Sequence, residues 1–335
     1  MRGTEEGLRS LKDDSETSMK AVLHYNASTG FRRRLQERAP AWLELGFAGS
    51  TDNEAITREL ADAEVLLHAL TPVTAAMLGG APRLRLIQKI GVGTNTIDLA
   101  AAGARGIAVA NMPGTNSQAV AEHALALMLA VLRRIVPIDA ASHRGEGWRL
   151  PPDTYDQVGE IAGRTVGFVG FGAVPRRLAA ALAALGAAVV YFSRSSRPEC
   201  SGPARRLDSL PELLQTADIV SLHLPLAPET RGLLDAGAIG LMKPGAVLIN
   251  TARGELVDEA ALAAALRSGH LAAAGLDVFA AEPAGRENPL LALPNVVATP
   301  HIAWLTPETL ERSIAVIVEN CRRLRAGEPL LHRVV

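Results

Sequence analysis

Thr165-Val-Gly-Phe-Val-Gly170-Phe171-Gly172-Ala173-Val174-Pro175-Arg-Arg-Leu178 sets an apolar run, a Gly-x-Gly turn and the start of an Ala/Leu-rich helix in immediate succession. A dinucleotide pyrophosphate requires that order. Gly170 permits the tight turn, Gly172 lets the backbone of the Phe171 turn approach phosphate, and the amides of Ala173 and Val174 lie at the positive end of a helix. Pro175 stands where a third glycine is usual. It fits a first helical turn, where its missing N–H has no intrahelical partner, although its ring can push helix and strand apart. Gly-x-Gly turns also occur without any ligand, so the weight rests on the strand before and the helix after.

Working outward, short Val/Leu/Ile runs alternate with segments of helical period from residue 20 onward, the pattern of a parallel sheet covered by helices, and the class is α/β. Strands are expected at Ala21 to Tyr25, Glu64 to His68, Leu84 to Ile90 and Ile107 to Ala110, with helical stretches around 31 to 45, 52 to 61 and 97 to 104. A long helix is expected over Asn116 to Ile135, opened by Asn/Ser capping and closed by Arg133-Arg134. After a polar stretch, a second series starts at Thr165 and continues through strands near 188 to 193, 218 to 222, 246 to 250, 272 to 276 and 296 to 299. These make a doubly wound domain. The last helix, Pro307 to Arg325, can complete the first series, so the expected organisation is a tail over 1–19, one domain from 20–115 with 303–335, and another over 116–302. Two crossings near 115 and 302 would leave a cleft, the usual place for a small-molecule site.

Composition narrows the function classes. With 34 basic and 35 acidic residues among 335, the chain has no charge field to attract nucleic acid or anionic lipid. The longest apolar stretch, Leu178 to Phe192, is interrupted by Gly186 and is too short to span a membrane; no secretory signal is visible, so a cytoplasmic protein is expected. Cys200 and Cys321 lack metal or redox spacing and read as free thiols, and no metal is expected.

Some twenty residues past the glycine turn, Ser193-Arg194-Ser195-Ser196-Arg197 occupies the place where an NAD-selective fold carries an acid for the ribose hydroxyls. Ser193 has no charge to repel a 2′-phosphate, and Arg194 and Arg197 can bond one, so NADP is preferred with NAD possible. The plainer alternative is that both arginines face solvent.

Asn250-Thr251-Ala252-Arg253-Gly-Glu-Leu-Val-Asp, Gly275-Leu-Asp277-Val-Phe-Ala-Ala-Glu282-Pro and Thr299-Pro-His301-Ile-Ala-Trp304 follow in turn. Together with Gly91-Val92-Gly93-Thr-Asn-Thr-Ile-Asp98 and the glycine turn, they resemble the D-isomer-specific 2-hydroxyacid dehydrogenases, in particular the glyoxylate/hydroxypyruvate reductase kind. The resemblance runs from residue 20 to 335 with its motifs in family order. It implies a flavodoxin-like substrate domain into which a Rossmann nucleotide-binding domain is inserted. It also implies a homodimer using the long helix after residue 115. The implied reaction passes a hydride between NAD(P)H and a small 2-keto acid such as glyoxylate, hydroxypyruvate or a short alkyl keto acid.

Carried over by position, the resemblance makes Arg253 the substrate-binding arginine, Glu282 its supporting acid and His301 the proton donor and acceptor. Imidazolium can protonate a carbonyl oxygen near neutrality, a carboxylate on the other ring nitrogen favours that charged form, and a guanidinium fork can grip carboxylate and carbonyl together. Each residue alone has a duller reading, as a core histidine, a surface ion pair or a turn cap. Their joint presence after strands of one sheet favours chemistry. The resemblance also implies cofactor neighbours at Val92, His223, Leu224, Pro225, Thr251, Ala252 and Asp277, the last beside the nicotinamide amide. It implies a substrate carboxylate on the Gly91, Val92 and Gly93 backbone, with Leu70 near the substrate. Trp304, three residues after His301, either walls the substrate tail or is an ordinary packed aromatic. Phosphoglycerate-specific relatives carry arginine and serine where this chain has His68 and Ala69, which argues against a phosphorylated substrate. An alternative on the same fold is a nucleotide-sensing, corepressor-like binding module.

Overall fold

A computed structural model describes residues 18–194 and 202–335; the tail through residue 17, Arg197 and Cys200 lie outside the described residues. The chain divides into unit 1, Met1–Thr115 with Thr306–Val335, and unit 2, Asn116–Leu305.

Unit 1 holds β1 (Met19–His24), α1 (Thr29–Arg38), β2 (Leu43–Ala48), α2 (Asn53–Leu60), β3 (Val65–His68), α3 (Ala75–Gly79), β4 (Leu86–Lys89), α4 (Leu99–Ala104) and β5 (Ala108–Ala110). Its sheet is parallel in the order β2-β1-β3-β4-β5, the flavodoxin-like arrangement. β3 and β4 are buried along their whole length, as strands covered on both faces must be. Two expectations are corrected here. Met19 belongs to β1 and is buried, not part of a tail. The helix expected over 31 to 45 ends at Arg38, because Ala39 takes the extended backbone that a residue before proline prefers, and Leu43–Ala48 then pairs with β1 as an edge strand.

Unit 2 opens with α5 (Ser117–Leu132), α6 (Ile135–His143) and α7 (Asp153–Asp156). The single helix expected over Asn116 to Ile135 stops at Leu132. Arg134 adopts a left-handed backbone with φ of 50°, so the helical path turns there, and Asn116 makes no side-chain cap bond. Then come β6 (Thr165–Val169), α8 (Ala173–Ala184), β7 (Ala188–Phe192), β8 (Ala204–Arg206), α9 (Leu210–Thr216), β9 (Ile219–Leu222), α10 (Ala236–Gly240), β10 (Ala246–Asn250), α11 (Glu259–Arg267), β11 (Leu271–Leu276) and β12 (Val296–Ala298). The parallel sheet runs β12-β11-β10-β9-β6-β7-β8, so chain direction across the sheet reverses between β6 and β9, the switch point of a Rossmann fold. Pro175 is buried in the first turn of α8, and the helix continues unbroken to Ala184.

A final helix, α12 (Pro307–Ala326), returns to unit 1. Thr306 caps its start, and Gly327 ends it in the left-handed region at φ of 67°. Within it, Asn320 donates to Gln88 on β4 at 2.6 Å, both side chains being buried. Among the described residues no helix is long and apolar enough to cross a membrane.

Candidate active site

β10, β11 and β12 are neighbours in one parallel sheet, so the loops that leave their C-terminal ends emerge side by side. They carry Arg253, Glu282 and His301. His301 Nδ1 meets Glu282 Oε2 at 2.6 Å, and the other Glu282 oxygen accepts the Phe279 amide at 2.9 Å. Both side chains keep some exposure, 19% for His301 and 32% for Glu282, and His301 Nε2 has no protein partner among the described residues. Burial works to raise the Glu282 pKa. The hydrogen bond and charge of His301, the Phe279 amide and the Arg253 charge outweigh it and hold the carboxyl below its ordinary value.

Arg253 follows β10 in an extended conformation and donates to the Ala252 carbonyl at 2.6 Å. Burial draws its guanidinium below the ordinary value, opposed by the charges of Glu282 and Glu255. Its loop is shaped by Asn250, which is buried, accepts the Ala252 amide at 3.0 Å and donates to the Arg253 carbonyl at 2.8 Å. Gly254 then lies against the Glu282 loop so closely that a Cβ would fall 1.9 Å from the Phe279 carbonyl carbon. Only glycine lets the arginine loop and the glutamate loop approach this way.

Asp277, expected beside the nicotinamide amide, is buried and holds the His301 loop. Its carboxylate accepts from Thr299 Oγ1 at 2.6 Å and from the Ile302 and Ala303 amides at 2.9 Å each, while its backbone carbonyl accepts the His301 amide at 2.8 Å. His301 itself sits in the left-handed region at φ of 53°. Trp304 is buried too, and its indole donates to the His301 carbonyl at 3.1 Å, which places the ring at the base of this loop.

At the glycine turn, Gly170 has φ of 93°, and a Cβ there would meet the His223 carbonyl at 2.6 Å. Among the described residues, Gly172 starts α8 with no side-chain cap, a Cβ there would meet nothing within 4 Å, and no hydrogen bond reaches the amides of Ala173 and Val174. The Phe171 ring stacks on Tyr191 in the core with centroids 3.9 Å apart, which leaves only its backbone at the turn. Ser193 and Arg194 follow β7, and the Ser193 carbonyl accepts from Arg206 at 3.3 Å. Arg206 is exposed at the end of β8, the short, largely polar edge strand of this sheet.

His223 is pushed by burial down to about 3 and so stays neutral; it bonds Ser221 at 2.9 Å and makes a T-shaped contact with the Phe168 ring, centroids 5.3 Å apart. Leu224 is half-buried beside Gly170, and Pro225 is exposed. Ala252 is half-buried, and the Thr251 hydroxyl is buried without a hydrogen-bond partner among the described residues. Open helix amides, a turn that excludes Cβ and an orphaned buried hydroxyl fit a dinucleotide.

In unit 1, Gly91 has φ of 128°, Val92 is exposed, and the turn is held by the Met112 amide on the Gly91 carbonyl at 2.8 Å and Asn111 on the Val92 carbonyl at 2.9 Å. Leu70 is half-buried. His68 is buried, donates to the Thr71 carbonyl at 2.6 Å, and is held neutral at about 3 by burial and the Lys89 charge; the Lys89 ammonium donates to the Ala69 carbonyl.

With this geometry in view, residues 125–303 match the family model of the D-isomer specific 2-hydroxyacid dehydrogenase NAD binding domain. The D-3-phosphoglycerate dehydrogenase of Mycobacterium leprae is 42% identical over 288 residues, covering 85% of this chain and 54% of that protein. The chain thus spans about half the length of the phosphoglycerate dehydrogenases it matches. The glyoxylate reductase of Aeropyrum pernix is 40% identical over 280 residues, 82% of this chain and 84% of that one. A solved structure of a Thermus thermophilus protein superposes with a TM-score of 0.84 at 38% identity, covering 95% of this chain and all of that one. The alternative of a corepressor-like binding module finds no support in these relatives.

Proposed function

The chain belongs to the D-isomer specific 2-hydroxyacid dehydrogenase family, and from that premise we propose that it reduces a small, unphosphorylated 2-keto acid with NADPH. Glyoxylate, hydroxypyruvate and short alkyl keto acids are the substrates of choice. The observation that carries this reading is the 2.6 Å pairing of His301 Nδ1 with an ionised Glu282, which leaves Nε2 for a ligand.

When bound, the nicotinamide supplies the hydride. His301 donates the Nε2 proton to the carbonyl oxygen, and Glu282 stabilises the imidazolium that precedes the transfer. Arg253 binds the substrate carboxylate and offsets the negative charge growing on the carbonyl oxygen. We assign the carboxylate also to the backbone of Gly91, Val92 and Gly93, and the pyrophosphate to the amides of Gly172, Ala173 and Val174. Leu70 is assigned to the substrate tail. The 2′-phosphate falls to Arg194 and Arg206 at the ends of β7 and β8, where Ser193 brings no opposing charge. Against a phosphorylated substrate stand the neutral, buried His68 and the apolar Ala69.

A spectrophotometric panel of keto acids with NADPH and NADH tests this. Glyoxylate or hydroxypyruvate should be turned over best with NADPH, and Ser193→Asp should weaken NADPH about tenfold more than NADH through charge repulsion. Phosphohydroxypyruvate as the best substrate, or equal losses with both cofactors, would refute the corresponding part.

A homodimer is proposed on a second observation. Ile135, Val136, Trp148 and Tyr155 are each more than half exposed within one stretch, an apolar surface that a second copy would cover. Sedimentation at the mass of a single chain would refute it.

A further inference from the structure

α5 runs past the site without contributing to the chemistry above, yet one of its side chains enters the network that holds the His301 loop. His123 Nε2 lies 2.9 Å from Thr299 Oγ1 and 3.5 Å from Asp277 Oδ1. Proton bookkeeping fixes the direction of these bonds. Both Asp277 carboxylate oxygens accept backbone amides, and the single Thr299 hydroxyl proton goes to Oδ1 at 2.6 Å. The Thr299 oxygen must then accept from His123, whose proton is therefore on Nε2.

The far end of this chain is the backbone on either side of His301. Asp277 takes the Ile302 and Ala303 amides on its carboxylate and the His301 amide on its carbonyl. His301 holds a left-handed backbone, a conformation a side-chain-bearing residue keeps only where its surroundings impose it. Glu282 orients the ring, and Asp277 orients the backbone from which the ring projects. Asp277 is only 1% exposed, so its carboxylate depends on these protein donors.

We propose that His123 is a positioning residue for His301, acting through Thr299 and Asp277. The proposal rests on the proton-donor reading of His301, but the coupling is also readable without turnover. Removing the donor frees the Thr299 hydroxyl to rotate, loosens the Asp277 clamp and lets the imidazole drift from its alignment. The substrate and cofactor contacts assigned above stay in place, so kcat should suffer rather than binding.

The test uses the full chain and three variants: His123→Leu, His123→Gln, which returns an N–H donor near the Nε2 position, and Thr299→Val. His123→Leu should lower kcat for keto acid reduction about tenfold with KM and the NADPH dissociation constant within twofold of wild type. His123→Gln should recover most of that loss. The double variant His123→Leu/Thr299→Val should be no slower than Thr299→Val alone, because both cut one connection. In parallel, the His301 Nδ1–H proton resonance, assigned by its loss in His301→Asn, should shift in His123→Leu and return in His123→Gln in the cofactor-free protein. An unmoved resonance, or a loss in His123→Leu that glutamine does not recover, overturns the proposal and reduces His123 to packing. If the wild type reduces no keto acid, the dehydrogenase reading fails by itself and the resonance alone decides the coupling.

Discussion

The two parallel sheets end in contrasting ways. At the C-terminal ends of β1, β3 and β4 in unit 1, His24, His68 and Lys89 stand in register across three adjacent strands, all buried. Among the described residues, Nδ1 of His68 has no hydrogen-bond partner, and the only partner close to the His24 ring is the Gly49 backbone. At the corresponding ends of β10, β11 and β12 in unit 2, Asp277 and Glu282 have their oxygens bonded, and His301 keeps one nitrogen unengaged at a partly open position. The same architecture thus sets two fully buried imidazoles side by side in one place and a carboxylate-paired, partly exposed imidazole in the other. Burial pushes a histidine toward its neutral form, and a carboxylate at hydrogen-bond distance opposes that push.

The strongest way to break this contrast is His301→Ala. Removing a positioned acid/base should slow reduction by about two to four orders of magnitude, read as kcat with saturating substrate. Near-normal turnover would mean that the paired imidazole is not the reacting group. The silent row is probed by acid. His68 has a folded pKa of about 3, below the ordinary histidine value near 6.5, and burial lowers His24 as well. The unfolded chain therefore binds protons first as pH falls, so unit 1 keeps its full stability above about pH 6.5 and loses it progressively toward pH 3. The loss should be on the order of a few kcal/mol. Protection factors of β1, β3 and β4, taken against the intrinsic exchange rate at each pH, should fall below about pH 6.5 ahead of those of β10 to β12, and His68→Asn should flatten the dependence. An equal fall in both sheets would remove the distinction between silent and paired rows.

How far the sequence reveals these arrangements depends on what each residue answers to. β6 and β10 are legible almost to the residue because strands buried on both faces must be continuously apolar. β2 and β8 escape because edge strands are only partly covered, so no apolar run marks them. The residues with reactive groups, Arg253, Glu282 and His301, stand out by type and by motif. Gly254, Asn250 and His123 do not, since their importance comes from neighbours remote in the chain: a Phe279 carbonyl, the Arg253 loop, and Thr299. Aromatic residues mislead for a related reason. Phe171 and Trp304 lie within functional motifs, but the sequence cannot tell which side of the backbone carries the ring, and both rings are buried.

A smaller and sharper effect separates pairing from proximity. Glu282 is held below its ordinary value partly by the hydrogen bond and charge of His301, so the pairing has an electrostatic part as well as a geometric one. Reduction draws a proton from that imidazole, and its rate should therefore fade as pH rises. Glu282→Gln removes the charge but retains a hydrogen-bonding group of similar shape, so the decline should move to lower pH by about one unit, equivalent to about 1.4 kcal/mol. The low-pH plateau of kcat should fall less than in His301→Ala. If Glu282→Gln lowers the plateau while leaving the midpoint in place, the carboxylate only orients the ring, and the advantage of the paired row over the silent one is geometric rather than electrostatic.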